Sequence, residues 1–264
     1  MNIRSLTIIP VLMLAGSPLV AQITEGTISY TRTVKVKFQG PAQFQPPGGS
    51  GEHVITQKLE LLFSGQKTLL RSVQESTNTA NNEDGEVVIH VIGASDNTEV
   101  FTDFDTRRKS SVRELGKDSY VVNDTLINEN WKLTNETKTI LGYSCRKATS
   151  EHVRWTKQMQ FINEEMKLDS VLDTIPIVVW YAEGFAVNGG PEATGVLKGM
   201  ILEYDVDNGR IHTVATSISK SVKPKEIKMP KGKQVTAAEY KKLEAEFRRK
   251  MMQSRGMIMP PPRD

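Results

Sequence analysis

The chain reads as a mainly β protein: a curved antiparallel sheet or half-barrel with one C-terminal α-helix. Three observations point there. Short segments of alternating apolar and polar residues recur through most of the chain and are separated by turn signals. Asp207-Asn208-Gly209 sits between two such segments, and Asn-Gly supplies the positive φ values of a tight hairpin. A helical apolar stripe with start signals occurs near the end, at Thr236–Met251.

The elements follow in order. Residues 1–21 carry Arg4, an apolar run over Leu6–Leu14, and Gly16, Ser17 and Pro18 before Ala21, the pattern of a secretory signal cleaved ahead of Gln22. Gly26–Lys37 alternates Ile28 and Tyr30, then Val34 and Val36, with polar residues and predicts a half-buried strand. Residues 39–52 form a Gly/Pro loop. Lys58–Phe63, Lys67–Val73, Glu86–Ile92 and Thr98–Phe104 predict further strands, with a polar turn over Asn78–Gly85. Shorter strands are expected at Tyr120–Val122 and Asn130–Thr134, weaker ones at Arg146–Val153 and Trp155–Ile162, and a β-branched and aromatic one at Ile175–Ala182. Met200–Val206 and Arg210–Ile218 form the hairpin around Asn208-Gly209. Thr236-Ala237-Ala238-Glu239 fits a capping box, and Tyr240, Leu243, Phe247 and Met251 then share one helix face. After Gly256 the Met/Pro-rich end is expected to be extended. The domains expected are thus a signal over 1–21, a β-rich body over 22–222, and a basic helix and tail over 223–264.

Composition narrows the function. The 264 residues carry 34 Lys+Arg against 31 Asp+Glu, a balance of +3 that is too small to imply nucleic acid. The charge is unevenly placed: from Lys223 onward there are 12 basic and 5 acidic residues, or +7, whereas residues 22–222 hold 21 basic and 26 acidic, or −5. A single cysteine, Cys145, excludes an intramolecular disulfide. No stretch of the mature chain is long and apolar enough to predict a transmembrane span. There is no Gly-x-Ser-x-Gly, His-Glu-x-x-His or P-loop motif. His53, His90, His152 and His212 have no ligand-like spacing, and Glu164-Glu165 and Asp103/Asp105 read as solvated carboxylates. A nucleophilic role for Cys145 would need a thiolate and a nearby base, and its strand context favours a small core residue instead.

Residues 131–149, WKLTNETKTILGYSCRKAT, carry a resemblance. Trp131, Ile140, Gly142, Tyr143, Cys145, Lys147 and Ala148 match a Trp-Lys-Ile-Thr-like segment followed by Ile-x-Gly-Tyr-x-Cys-x-Lys-Ala. Trp180-Tyr181 and Gly190-Pro191 follow in the same order, and Gly26-x-Ile28-x-Tyr30 fits the opening strand. This pattern resembles the GLPGLI family, also called the Porph_ging family, of exported Bacteroidetes proteins. The naming motif is degenerate: Val196-Leu197-Lys198-Gly199-Met200-Ile201 keeps Leu197, Gly199 and Ile201. The resemblance implies a β-rich envelope protein of unknown activity, similar in pattern to the open half-barrels of lipoprotein carriers. No catalysis and no cofactor are expected.

The functional expectation is therefore binding, of an apolar ligand or of an outer-membrane protein or lipid, from the periplasm or the outer membrane. Trp131, Tyr143, Trp155, Trp180 and Tyr181 are the candidate ligand-lining residues. Lys241, Lys242, Arg248, Arg249 and Lys250 are the candidates for contact with a partner or anionic membrane. The alternative is copper or other metal handling through Met251, Met252, Met257 and Met259, whose thioethers are soft ligands.

Overall fold

The computed structural model describes residues 22–37, 52–73, 98–162, 165–192 and 197–254. They form one open sheet of twelve strands and one C-terminal helix. The strands are β1 (Glu25–Lys37), β2 (Glu52–Ser64), β3 (Lys67–Ser72), β4 (Glu99–Asp103), β5 (Arg108–Leu115), β6 (Asp118–Thr125), β7 (Lys132–Ile140), β8 (Tyr143–Ile162), β9 (Glu165–Ala182), β10 (Met200–Val206), β11 (Ile211–Ser219) and β12 (Lys233–Thr236). Helix α1 spans Ala237–Ser254. The mainly β class with a terminal helix is as the sequence predicts.

The strand order is β12-β6-β5-β4-β3-β2-β1-β11-β10-β9-β8-β7. Two meanders, β1 to β6 and β7 to β11, therefore run outward from a central β1–β11 pairing, in which Ile28 lies opposite Ile218 and Arg32 opposite Thr213. All pairs are antiparallel except β12 with β6. This topology explains the curvature. In a flat sheet β6 and β7 would lie ten strand spacings apart, about 48 Å. Only residues 126–131 connect them, and a segment of that length reaches at most about 25 Å. The sheet must roll until its two ends face each other.

The rolled face is filled by the chain itself. Ile28, Tyr30, Leu59, Leu61, Phe63, Cys145, Ala182, Met200 and Leu202 form one buried cluster, into which the segment after β9 inserts Phe185 and Val187. Ala148, Ile177, Val179, Tyr181, Leu197, Ile201 and Tyr204 form a second. A third, of Tyr120, Val122 and Tyr240, seats α1.

Several boundaries differ from expectation. Arg146–Val153 and Trp155–Ile162 are one continuous strand, β8, and the Ile175–Ala182 strand extends back to Glu165, because the two pair in register from Cys145↔Ala182 to Ile162↔Glu165. β5 and β12 carry too little apolar alternation to be legible and exist through their ladder partners. The strand expected at Glu86–Ile92, the turn at Asn78–Gly85 and most of the 39–52 loop lie outside the described residues. The β10–β11 turn has Asp207, Asn208 and Gly209 all at positive φ, as Asn-Gly predicts. The capping box also forms: the Glu239 carboxylate accepts from the Thr236 amide at 2.8 Å, and the Glu239 amide donates to the Thr236 hydroxyl at 3.2 Å.

Gly199 decides how the 185–201 segment seats. Its φ is +142°, and a Cβ there would lie 2.3 Å from the Ala182 carbonyl oxygen. Gly199→Ala is expected to lower stability by about 2–4 kcal/mol, through backbone strain and overpacking. Urea unfolding of the variant beside wild type reads this directly; an unchanged midpoint would contradict the packing described.

Candidate functional site

The residues of the resemblance converge on one structural unit. Gly189 and Gly199 bridge the segment to itself: the Gly189 amide donates to the Gly199 carbonyl at 3.2 Å, and the Ile201 amide donates to the Gly189 carbonyl at 2.8 Å. Asn188 accepts from the Gly199 amide at 3.1 Å. A Cβ at Gly190 would lie 2.7 Å from that of Ile201, so the two strands of this clasp meet at van der Waals distance only because Gly190 has no side chain. From the sheet, buried Tyr30 donates its hydroxyl to the Ile201 carbonyl at 2.7 Å. Pro191, Leu197 and Ile201 are buried beneath the clasp. Val196 lies outside the described residues. Gly142 occupies the β7–β8 turn at φ +84°, next to Leu141 at φ +50°.

The candidate ligand-lining aromatics divide between two clusters. Trp131 and Tyr181 pack with Leu197, Ile201 and Tyr204. Tyr143 and Trp180 border the other cluster, where Tyr143 lies 5.1 Å from Phe185, centroid to centroid. The Trp180 ring is already engaged by cations of the same chain: Lys138 Nζ is 4.3 Å and Lys147 Nζ 5.9 Å from its centroid. Lys138 also pairs with Glu203 at 2.5 Å. The Trp131 indole N–H is buried with no acceptor among the described residues. The side chain of Trp155 lies outside the described residues.

A crevice that sequence reasoning missed lies under Gly190, Pro191 and Glu192. It has a volume of about 70 Å³ and is walled by Arg32, Thr68, Thr102 and Lys109 together with Leu61 and Leu70. The buried Arg32 guanidinium pairs with Glu192 at 2.6 Å and donates to the Thr213 hydroxyl at 3.2 Å and the Pro191 carbonyl at 3.4 Å. This is an internal clamp between strand and clasp, polar in lining and smaller than a lipid chain requires. Its signal was present in the sequence: Arg32 follows Ile28 and Tyr30 at period two and so shares their inward face.

The other candidates are placed as follows. Cys145 is fully buried beside Tyr30, and its thiol points at the Tyr143 carbonyl at 3.5 Å. Burial pushes its pKa up to about 11, with Glu203 adding to the rise and Lys138 and the Ile140 backbone opposing it. The thiol is protonated at neutral pH. His152 pairs with Glu129 at 2.7 Å, and His212 lies 3.4 Å from Glu203. Asp103 accepts from the Thr106 amide at 3.1 Å. His90 and Glu164, and the side chains of His53 and Glu165, lie outside the described residues. So do Met257, Met259 and the Met252 side chain, while Met251 is exposed on α1. No group of three metal-ligating His, Cys, Asp or Glu occurs among the described residues. Lys241, Lys242, Arg248, Arg249 and Lys250 are all exposed on α1.

Residues 131–203, which contain β7 to β9 and most of the clasp, match the family model described as "Protein of unknown function (Porph_ging)". Over this segment, about a quarter of its length, the chain is similar to that family. Within the matched segment, Trp131, Cys145, Tyr181, Gly190 and Gly199 are the residues that pack β8 and β9 against the clasp. Among solved structures the chain is similar to two of PNGF-II, in the C2 and P21 space groups, at 19% and 20% identity and TM-scores of 0.49 and 0.45. Each similarity covers 84% of this chain, which spans only about a third of those chains, 33% and 34% respectively. Comparison with curated proteins gives no match.

The buried thiol makes a pH prediction. Its folded pKa, about 11, exceeds its ordinary value of 9.0. The stability it contributes is complete below about pH 9 and is lost as pH rises towards 11. The buried tyrosines, whose pKa values are also raised, add to the loss only above about pH 10. Chemical denaturation of wild type and Cys145→Ala from neutral pH upward should show the variant losing less stability between pH 9 and 10; parallel curves would refute the assignment.

Proposed function

We propose that this chain is an exported, non-catalytic protein of the cell envelope that binds an anionic membrane surface through α1. One observation carries the reading: the helix separates a docked face from a basic face. At 100° per residue, Tyr240, Leu243 and Phe247 fall together, and Lys241, Lys242, Arg248 and Arg249 fall on the opposite side. The docked face packs on β6 and β12: Tyr240 lies edge-on to Tyr120 at 6.0 Å and donates its hydroxyl to the Glu114 carbonyl at 3.1 Å. The basic face is left to solvent, with Arg248 bonded to Glu244 at 3.2 Å. Lys223, Lys225, Lys228, Lys231 and Lys233 precede the helix in the sequence.

Each Lys or Arg close to an anionic bilayer contributes about 1 kcal/mol, and salt screens it. No helix among the described residues is long and apolar enough to cross a membrane, so this reading is one of attachment. It also accounts for the unequal charge of body and tail. The signal-like pattern over residues 1–21 supports export.

Flotation with vesicles tests this. The chain should bind phosphatidylglycerol-containing vesicles at low salt, release at high salt and ignore pure phosphatidylcholine. Replacing Lys241, Lys242, Arg248 and Arg249 with alanine should weaken binding roughly a hundredfold or more, at about 1 kcal/mol per residue. Binding unaffected by salt and by these substitutions would sink the proposal.

A further inference from the structure

The crevice under the clasp carries more positive charge than the fold itself uses. Register explains how its wall is built. Lys109 lies opposite Thr102, and Thr102 lies opposite Thr68, so the three side chains project from one face of β5, β4 and β3. Arg32 of β1 and Gly190 of the clasp border the same space.

The two cations are satisfied to different degrees. The bonds of Arg32 to Glu192, Thr213 and Pro191 use Nε and Nη2, which leaves Nη1 for a further acceptor. Asp124 lies opposite Lys109 on β6, but its carboxylate accepts from the Thr125 amide at 2.8 Å. Lys109 forms no ion pair among the described residues. Arg32, Lys109 and Glu192 are the charged residues that line the crevice, and together they leave it one positive charge in excess. Neutral donors add to this. Thr68 and Thr102 are 3% and 1% exposed. The Gly190 amide is buried and bonds to no carbonyl among the described residues, while Gly189 beside it takes the pairing with Gly199 and Ile201.

Size selects the guest. A water-sized guest needs roughly 10–15 Å³ of such space, so a crevice of about 70 Å³ takes about five atoms of that size. A tetrahedral oxyanion, with one central atom and its four oxygens, has that many. We propose that the crevice binds a phosphate-type oxyanion. Lys109 and Arg32 Nη1 supply the charge-assisted bonds, and Thr102 and the Gly190 amide complete the shell. Lysine suits the role, because its ammonium binds phosphate as a point charge on a flexible stem. Glu192 opposes the incoming anion and weakens the site. None of the lining residues lies on α1, so this site is separate from the basic helix face.

Isothermal titration of the full chain with inorganic phosphate, at constant ionic strength, should show one saturable site that chloride does not fill. Lys109→Gln should weaken it at least about tenfold, through the loss of one charge-assisted bond. Glu192→Gln removes the opposing charge and should tighten it several-fold. Alanine at Lys241, Lys242, Arg248 and Arg249 should leave it unchanged. Glycerol 3-phosphate distinguishes the sources of the anion: its binding beside inorganic phosphate assigns a phosphate ester such as a lipid headgroup, and its exclusion assigns the free anion. Absence of saturable binding, binding indifferent to both Lys109→Gln and Glu192→Gln, or binding lost with the α1 substitutions would each overturn the proposal. If Glu192→Gln does not fold without its ion pair, Lys109→Gln, at a half-buried position, decides it.

Discussion

A connection of six residues governs this molecule. Residues 126–131 tie β6 to β7 although the strand order sets them near opposite ends of a twelve-stranded sheet. Backbone reach allows this only if the sheet rolls up. Rolling creates an inward face, and an inward face must be filled or wetted. Leu126 is buried at the start of the connection, Arg107 donates to its carbonyl at 3.0 Å, and Trp131 packs at its end against the second cluster. The curvature is thus held at both anchor points of the bridge.

What fills the roll is the clasp built from Phe185, Val187 and Gly189–Pro191 on one side and Leu197–Ile201 on the other, and its construction explains the motif positions in physical terms. Gly190 and Gly199 are there because side chains would collide with Ile201 and with the Ala182 carbonyl. Tyr30 and Arg32, two residues apart on β1, reach up to the clasp with a hydroxyl and a guanidinium. Buried Arg32 is tolerable because Glu192, Thr213 and the Pro191 carbonyl all accept from it. Lys198, standing where the naming motif has Pro, is exposed, so its substitution leaves the buried contacts of Leu197 and Ile201 in place.

The predicted site was legible only in part. The helix, its capping box and its basic residues were readable because both signals are local: a hydroxyl and a carboxylate three residues apart, and a stripe at helical spacing. The aromatic set was readable as a collection of rings; consecutive Trp180 and Tyr181 point to opposite faces of β9 and so join different clusters. Of the Arg32 clamp, the inward position of Arg32 was readable at period two, but its partner was not. Its partner Glu192 is 160 residues away, and no local pattern couples the two.

By itself the sequence determined the β class, the Asn208-Gly209 hairpin, the terminal helix and the charge contrast between body and tail. Each is set by period, turn chemistry or capping within a few residues. Only the tertiary structure decided the strand order, the length of the β8–β9 arm and the filling of the rolled face. Those depend on which edges meet and how far they pair, and strand pairing couples residues far apart in the chain, such as Ile28 and Ile218. Alternation states that a strand has two faces; it does not state what will lie against either one.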